Sequence, residues 1–321
     1  MKVNKKSLFL IAALALNLVI TGCGGDTKKA AAPAAPKLKK VVTTYVQAPL
    51  NVPSIVEKSK KNLATAYKKD GIDFSYSTIT SGADQTAALA SGDIHILNCV
   101  GGSSVLLAAA NGADLKILSV YSTAPKAFML FSKDKGITSP AALKGKKVAG
   151  PKGTILHELL AAYLKKGGLT MKDIEFVSMG LPQAQAALEG GSVDCALLAG
   201  PLAYNAQKAG LNVVTNGEGL VSGLTLTATS KKFYKEHKDI CETFLKVQKG
   251  TLAYIAKNTN EAQAITAKET SLIKDAVAGM YKLYDFTPNI TDTTKKQLAE
   301  TQDFLVASGM MKKKVDIASL F

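Results

Sequence analysis

The stretch GPKGTILHELLAAYL, Gly150–Leu164, joins a glycine turn to an apolar helix and can be compared with two known motifs. A zinc helix of the H-E-x-x-H type needs a second histidine four residues after the first, but Ala161 stands there. A phosphate-binding loop needs Lys and then Ser or Thr after Gly150, whereas the chain continues Pro-Lys-Gly-Thr. We therefore interpret the stretch as a turn and a helix capped by Thr154, with no metal site and no cofactor.

Segments typical of strands and helices alternate on both sides of this stretch. β-Branched runs of four to eight residues are separated by short alanine-rich or lysine-rich helices, a pattern that predicts an α/β fold with mostly parallel sheets. From Lys231 onward the pattern is mostly helical, and one long helix is predicted over 231–255. The predicted strands are VVTTYV, FSYSTIT, IHILN, LKILSVY, KAFMLF, KKVAG, IEFVSM, SVDCALLA and LNVVT.

Two segments of the chain resemble each other. AALASGDIHILNCVGG begins at Ala87 and AALEGGSVDCALLAGP begins at Ala186, and both read as the end of a helix, a glycine, a strand and a glycine turn. Alanine-rich helices can produce such a match by chance. The match also fits two lobes of like construction, which a body of this length favours over one core.

The first 22 residues have the form of an export signal. Lys2, Lys5 and Lys6 precede the apolar run Ser7–Ile20, which is short for a membrane span of about 20 residues. The sequence ITGC that follows resembles the lipobox of bacterial lipoproteins, which implies cleavage before Cys23 and a lipid on its sulfur. Residues 1–22 are thus predicted to be a lipoprotein signal peptide.

A segment rich in Gly, Ala, Pro and Lys follows, and we predict a lipidated flexible tether over 23–40. The formal net charge of the chain is +15, and all 40 basic residues are lysine. Without arginine there is no bidentate contact to guanine or phosphate, so we interpret the lysines as a solvated coat and exclude nucleic acid as a partner. Cys99, Cys195 and Cys241 show no C-x-x-C spacing and are predicted to be free core residues.

Four phrases together carry a family resemblance: SGADQTAALASGDIHI, GGSSVLLAAANGADLKILS, ITSPAALKGKKVAGPKGTILHELLAAYLKKGGL and LPQAQAALEGGSVDCALLAGP. They resemble the substrate-binding proteins of ABC importers for aliphatic sulfonates, nitrate and taurine, a group that also includes binders of thiamine pyrimidine precursors. The resemblance covers roughly residues 41–232. It implies a type II periplasmic-binding-protein fold, with two lobes joined by two crossing strands. Lobe 1 would comprise residues 41–122 and 222–321, and lobe 2 residues 123–221.

Ligands of such folds bind where loops at the carboxyl ends of the strands meet helix N-termini, whose free amides carry partial positive charge. Thr154 and the amides after it are predicted to point into this cleft, although Thr154 and Ser103 can equally serve only as helix caps. His157 is expected at the rim. Tyr45, Tyr121 and Tyr204 could supply aromatic contacts. The predicted ligand-binding residues are Gln47, Gly102, Ser103, Ser104, Tyr121, Gly153, Thr154, Ile155, Gly180 and Gly200.

The composition narrows the ligand class. The chain has no Trp, and Ala199 and Gly200 occupy the loop where many members of the group place an aromatic residue before a proline, so a stacking wall for a heterocycle is disfavoured. The absence of arginine weighs against carboxylates, which such folds commonly clamp with a guanidinium. Neutral donors and helix dipoles suit a sulfonate, nitrate or similar oxoanion, and they would also suit a polar neutral ligand.

The resemblance therefore implies an extracytoplasmic solute receptor that is anchored to a membrane through Cys23 and delivers its solute to an ABC permease and ATPase as a monomer. No catalytic motif such as G-x-S-x-G or G-x-G-x-x-G occurs, and no enzymatic activity is predicted. Two alternatives stay open at this stage. One is a surface lipoprotein that acts as a sensor, and the other is a binder of a neutral heterocycle such as a thiamine pyrimidine precursor.

Overall fold

Ten strands form two five-stranded sheets in residues 38–321, the part of the chain that the computed structural model describes. The predicted signal peptide, Cys23 and most of the predicted tether lie outside these residues. Sheet 1 contains β1 (Lys40–Tyr45), β2 (Asp73–Thr78), β3 (Ile96–Gly101), β4 (Lys116–Thr123) and β10 (Leu224–Thr229). Sheet 2 contains β5 (Phe128–Ser132), β6 (Lys147–Gly150), β7 (Glu175–Ser178), β8 (Cys195–Ala199) and β9 (Asn212–Asn216).

Each sheet is mostly parallel, with one reversed strand. The strand order of sheet 1 is β2-β1-β3-β10-β4, and β10 runs antiparallel to both of its neighbours. Sheet 2 has the order β7-β6-β8-β5-β9, and β5 is its reversed strand. Both reversed strands are the first that the chain forms after it changes sheets. The two-lobed α/β fold expected from the sequence is confirmed.

The helices cover the faces of the two sheets, and the segment after β10 is helical as predicted. The predicted helix over 231–255 is interrupted at His237, whose backbone leaves the helical conformation (φ −137°, ψ 51°). The helices are α1 (Val52–Lys60), α2 (Asn62–Lys68), α3 (Gly82–Ser91), α4 (Gly102–Ala110), α5 (Ile155–Lys166), α6 (Leu181–Glu189), α7 (Gly200–Lys208), α8 (Lys231–Glu236), α9 (Lys238–Lys257), α10 (Thr259–Thr270), α11 (Lys274–Tyr281) and α12 (Asp292–Ala307).

The chain passes between the sheets twice. It leaves sheet 1 after β4 through a short turn, Pro125–Ala127, and returns from β9 to β10 through residues 217–223. We call the parts built around sheet 1 and sheet 2 lobe 1 and lobe 2. The exact domain boundaries, 41–122 with 222–321 and 123–221, stay a prediction. The two passages between the sheets lie close to these boundaries. They contact each other, because the Ala124 N–H donates to the carbonyl of Gly223 at 3.1 Å.

The two similar sequence segments take equivalent places in the two lobes. The strands of the two sheets correspond by position: β2 to β7, β1 to β6, β3 to β8, β10 to β5 and β4 to β9. Strand β3 with its flanking helices therefore matches β8 with its own. The sequence match therefore marks a repeated architecture. Each lobe has its own apolar core, and the three predicted core cysteines, Cys99, Cys195 and Cys241, are free and buried. Within residues 38–321 no helix is long and apolar enough to span a bilayer.

Candidate functional site

A cleft lies between the lobes, where the carboxyl ends of strands from both sheets face each other, and about 580 Å³ of empty space is found there, part of it open to solvent. This is the place that parallel α/β sheets offer to ligands, because loops and helix N-termini converge there. Lobe 1 contributes the ends of β1 and β3, the loop before α3, and Thr225 of the reversed strand β10. Lobe 2 contributes the loops before α5 and α6. The lining residues are Val46, Ala48, Pro49, Thr80, Ser81, Gly82, Gln85, Cys99, Gly101, Ser104, Phe128, Pro151, Thr154, Ile155, Leu156, Gly180, Leu181, Ala199 and Thr225.

Helix α5 begins at the cleft as predicted, with Thr154 at its N-cap. The Thr154 hydroxyl donates to the carbonyl of Pro151 at 2.8 Å and makes no capping bond to the helix. It thereby ties the preceding turn together and leaves the first amides of α5 without a side-chain partner. Ile155 and Leu156 line the cleft beside them. This helix end can receive a small anion.

Two predicted serines, Ser103 and Ser104, both form hydrogen bonds to the other lobe, but only one of them lines the cleft. Ser104 lines the cleft, and its hydroxyl donates across the cleft to the carbonyl of Gly153 at 2.8 Å. Ser103 lies behind it, and its hydroxyl donates to the carboxylate of Glu158 on α5. Both bonds join the start of α4 in lobe 1 to α5 in lobe 2. They hold the two cleft walls together.

Glu158 is buried between the lobes, and the residue is 4% exposed. Burial raises the pKa of Glu158 to about 7, and hydrogen bonds from Ser103 and Thr301 oppose this rise. The carboxyl therefore changes protonation state near neutral pH at a contact between the lobes.

His157 does not lie at the rim, and that prediction is wrong. Its side chain is 6% exposed and stacks on Phe176, with 4.7 Å between the ring centroids. Its Nδ1 accepts the Gly153 N–H at 3.2 Å. Burial, with the charge of Lys152 as a smaller cause, lowers the pKa of His157 to about 4. The imidazole is thus neutral at physiological pH and supports the turn that precedes α5.

The cleft brings together four of the ten predicted ligand-binding residues: Ser104, Thr154, Ile155 and Gly180. Gly153 is one residue outside the lining and supplies the carbonyl that Ser104 binds. Contact of any of these residues with a solute stays a prediction.

The other predicted residues lie elsewhere. Tyr121 is buried behind the cleft, with its hydroxyl 2.8 Å from the Ser54 hydroxyl. Gln47 is exposed, and its amide donates to Glu269 at 3.4 Å. Gly102 packs under Leu298 and Leu224 of lobe 1.

Gly200 packs against the backbone of the other lobe instead of facing the cleft. A Cβ atom at Gly200 would lie 2.9 Å from the Leu50 nitrogen and 3.1 Å from Pro49, and the residue has φ +59°. Tyr45 and Tyr204 also lie outside the lining, and the Tyr45 hydroxyl donates to Glu269 at 2.7 Å. Gly200 therefore belongs to the contact between the lobes.

Gln85 is one of the cleft residues that the sequence interpretation missed. Its side chain is 1% exposed, and its Oε1 atom has no hydrogen-bond partner among the described residues. A weak signal was available: Gln85 lies four residues before Leu89, so both share the buried face of α3. A glutamine on a buried helix face either forms hydrogen bonds within the core or presents its amide to a group outside the core.

Cys99 also lines the cleft, in a conformation that the sequence does not reveal. It occupies an irregularity in the pairing of β3 with β10 and has φ +69°. Its thiol donates to the side-chain oxygen of Asn51 at 3.2 Å, and burial raises the pKa of Cys99 to about 12. The thiol is therefore protonated at neutral pH and is a poor nucleophile.

All the described side chains that line the cleft are uncharged: hydroxyls, one amide, one thiol, alkyl groups and the ring of Phe128. The N-termini of α3, α4, α5 and α6 lie at the cleft, where their N-caps Ser81, Gly101, Thr154 and Gly180 are part of the lining, and the free amides of a helix N-terminus carry partial positive charge. An anion with an apolar or neutral remainder matches this lining, because its charge meets amides and its remainder meets alkyl groups.

The NMT1/THI5-like family matches residues 64–262, and the chain belongs to this family. A protein of Bacillus subtilis (strain 168), named as an aliphatic sulfonates-binding protein, is 30% identical over 314 residues, 96% of this chain and 92% of that protein. The taurine-binding periplasmic protein of Escherichia coli (strain K12) is 30% identical over 186 residues, 57% of each chain.

Solved structures share the fold. The alkanesulfonate-binding protein SsuA of Xanthomonas axonopodis pv. citri, bound to MOPS, superposes with a TM-score of 0.79 at 22% identity, over 89% of this chain and 99% of that one. The desulfurization enzyme DSZB also superposes, with a TM-score of 0.63 at 15% identity, over 88% of this chain and 96% of that one. The fold is therefore used both by binding proteins and by an enzyme.

Proposed function

We propose that the chain is the extracytoplasmic solute-binding component of an ABC importer, and that its solute is a sulfonate. The observation that carries the sulfonate assignment is the uncharged cleft that lies at the N-termini of α3, α4, α5 and α6. A sulfonate keeps its negative charge at all physiological pH values, and backbone amides at helix ends bind such oxoanions without a cationic side chain. The named functions of the relatives in B. subtilis and E. coli support the same class of solute.

The proposal extends to the location and partners of the protein. A lipid on Cys23 would hold the folded body at the outer face of a membrane, where it would act as a monomer and deliver solute to a permease and its ATPase. The names of the relatives support an extracytoplasmic location, and the lysine coat suits an anionic membrane surface. Mass spectrometry of the purified chain tests the anchor. A mass consistent with cleavage before Cys23 and an added diacylglycerol is expected, and an unmodified Cys23 would contradict it.

An enzyme on this fold is the second candidate function, and the cleft does not favour it. Cys99 is the strongest type of nucleophile in the described lining, but its thiol is protonated and donates a hydrogen bond to Asn51. Histidine, the usual base for such a thiol, does not contribute to the described lining. Binding and release explain the site without a chemical step.

Calorimetry on the exported chain, purified in nonionic detergent, tests the solute class. We expect ethanesulfonate and longer alkanesulfonates to bind, and a solute at 100 times its dissociation constant to stabilise the fold by about 2.7 kcal/mol in a thermal-shift assay. Nitrate and a thiamine pyrimidine precursor serve as the competing classes. Binding of either without binding of any sulfonate would overturn the proposal.

A further inference from the structure

Gln85 has the one buried side-chain oxygen in the described part of the chain that lacks a hydrogen-bond partner, and this side chain lines the cleft. Two neighbouring hydroxyls are already bound: Thr86 donates to the Ala83 carbonyl at 2.9 Å, and Ser104 donates to the Gly153 carbonyl at 2.8 Å. A buried side-chain oxygen without a partner is rare, because folding removes its hydrogen bonds to water without replacing them. The unpaired Oε1 of Gln85 therefore calls for a partner that is absent from the described part of the protein.

The amide can match more than one group of a solute. Rotation by 180° about its last side-chain bond exchanges Oε1 and Nε2, so the same position can present an acceptor or a donor. An Nε2 donor would bind a sulfonate oxygen, and the neutral amide would not repel the anion. Gln85 lies on the lobe 1 side of the cleft, opposite the start of α5, so a solute held by α5 would reach it from across the cleft.

We propose that Gln85 is a specificity-determining residue whose amide hydrogen-bonds to the solute, and that with the uncharged lining it selects alkanesulfonates over the aminosulfonate taurine. This inference rests on the proposed function, since it takes a sulfonate as the solute. Taurine carries an ammonium group that loses its water in the cleft, and burial of a charge without an ionised partner is strongly unfavourable. Ethanesulfonate differs from taurine only in that a hydrogen replaces the ammonium group, so the pair isolates this effect.

Calorimetric titration of ethanesulfonate and taurine into the purified full-length chain tests the proposal. The wild type is expected to bind ethanesulfonate at least about tenfold more tightly than taurine. Gln85→Met removes the amide and keeps the side-chain length, and it should weaken ethanesulfonate binding by about tenfold. Because the substitution also removes an unpaired buried polar group, the melting temperature without ligand should stay the same or rise. Gln85→Glu adds a carboxylate, so it should weaken ethanesulfonate further and shift the preference toward taurine.

Gln302→Met is the matched control, because Gln302 is also buried, 5% exposed against 1% for Gln85, but lies outside the cleft and accepts the Val315 N–H at 2.8 Å. It should lower the melting temperature and leave both affinities unchanged. If the wild type binds sulfonates and Gln85→Met binds ethanesulfonate as tightly as the wild type, Gln85 makes no contact and this inference alone fails. Taurine bound as tightly as ethanesulfonate by the wild type would also overturn it. If the wild type binds neither compound, the proposed function fails as well.

Discussion

The carboxyl of Glu158 makes the stability of the protein depend on pH. Its pKa of about 7 lies above the ordinary value of 4.5, so the folded state holds a proton that the unfolded state has released between these pH values. The stabilisation from this group is complete below about pH 4.5 and is lost as pH rises through about 7. His157, whose pKa is lowered to about 4, acts in the opposite direction over much of the same range.

Glu158→Gln should therefore gain stability relative to the wild type as the pH increases. We expect the difference in unfolding free energy to shift in favour of the variant by up to roughly 3 kcal/mol between pH 4.5 and pH 8. Urea denaturation at several pH values measures this difference, in which the His157 contribution cancels. Glu300→Gln, which changes an exposed carboxylate on α12, is the control. A constant difference across the range would show that Glu158 is not buried in solution.

Thr154→Ala tests the turn that begins α5. Loss of the hydroxyl removes the 2.8 Å bond to the Pro151 carbonyl, so the amides at the helix end are less firmly positioned for an anion. We expect sulfonate affinity to fall about fivefold, which corresponds to one hydrogen bond of about 1 kcal/mol. Thr170→Ala makes the same substitution at an exposed N-cap away from the cleft. If both variants bind as the wild type does, the α5 terminus does not hold the solute.

The start of α7 shows how a glycine permits the two lobes to approach each other. Gly200 has φ +59°, and its α-carbon packs against the Pro49–Leu50 backbone of lobe 1. An alanine there would add a methyl group 2.9 Å from the Leu50 nitrogen, closer than ordinary contacts allow. The clash concerns the contact between the lobes and leaves the core of each lobe intact.

Gly200→Ala should weaken solute binding more than it weakens the fold. We expect an affinity loss of about tenfold or more, because ligand must then hold together lobes that repel at this contact. Gly210→Ala is matched to it: Gly210 has φ +79°, but a methyl group added there would have no atom within 4 Å, so this variant carries the backbone strain alone. Equal affinity losses in the two variants would assign the effect to strain instead of lobe contact.

Element boundaries also show where the sequence is informative. Nine of the ten described strands, the glycine turns and the helical tail follow from hydrophobic period and turn residues, and the start of α5 is correct to the residue, whereas the strand β10 was not predicted. The break between α1 and α2 at Lys61 and the break between α8 and α9 at His237 contain no glycine or proline. Their positions therefore depend on tertiary packing. The reversed strands β5 and β10 depend on where the chain changes sheets, which local pattern does not encode.

For the whole molecule, the contacts between Ser104 and Gly153, and between Ser103 and Glu158, describe lobes that are closed at α4 and α5. The two passages between sheets are the covalent connections about which the lobes can open. We expect the radius of gyration to fall when ethanesulfonate is added, as measured by small-angle X-ray scattering. Gly200→Ala should show a smaller decrease at the same fractional saturation. Identical curves with and without solute would contradict closure on binding.

The cleft itself could be located from the sequence, but its composition could not. Loops at strand ends and the helix start at Thr154 were predictable because parallel α/β units place them on one edge. Gln85 was missed because an amide within an alanine-rich helix gives no sign of whether it is paired. Ser103 and Ser104 are adjacent and chemically alike, so only the direction of each side chain separates a cleft residue from a contact between lobes.

The buried thiols of the described body have a practical consequence for optical sensing. Cys99, Cys195 and Cys241 are inaccessible, and burial raises the pKa of each to about 12, so none should react readily with maleimide at neutral pH. A cysteine introduced at an exposed position beside the cleft would then be the one site in this body that takes up a dye. The fold could in this way be converted into a fluorescent reporter of its own solute without removal of any of these three native cysteines.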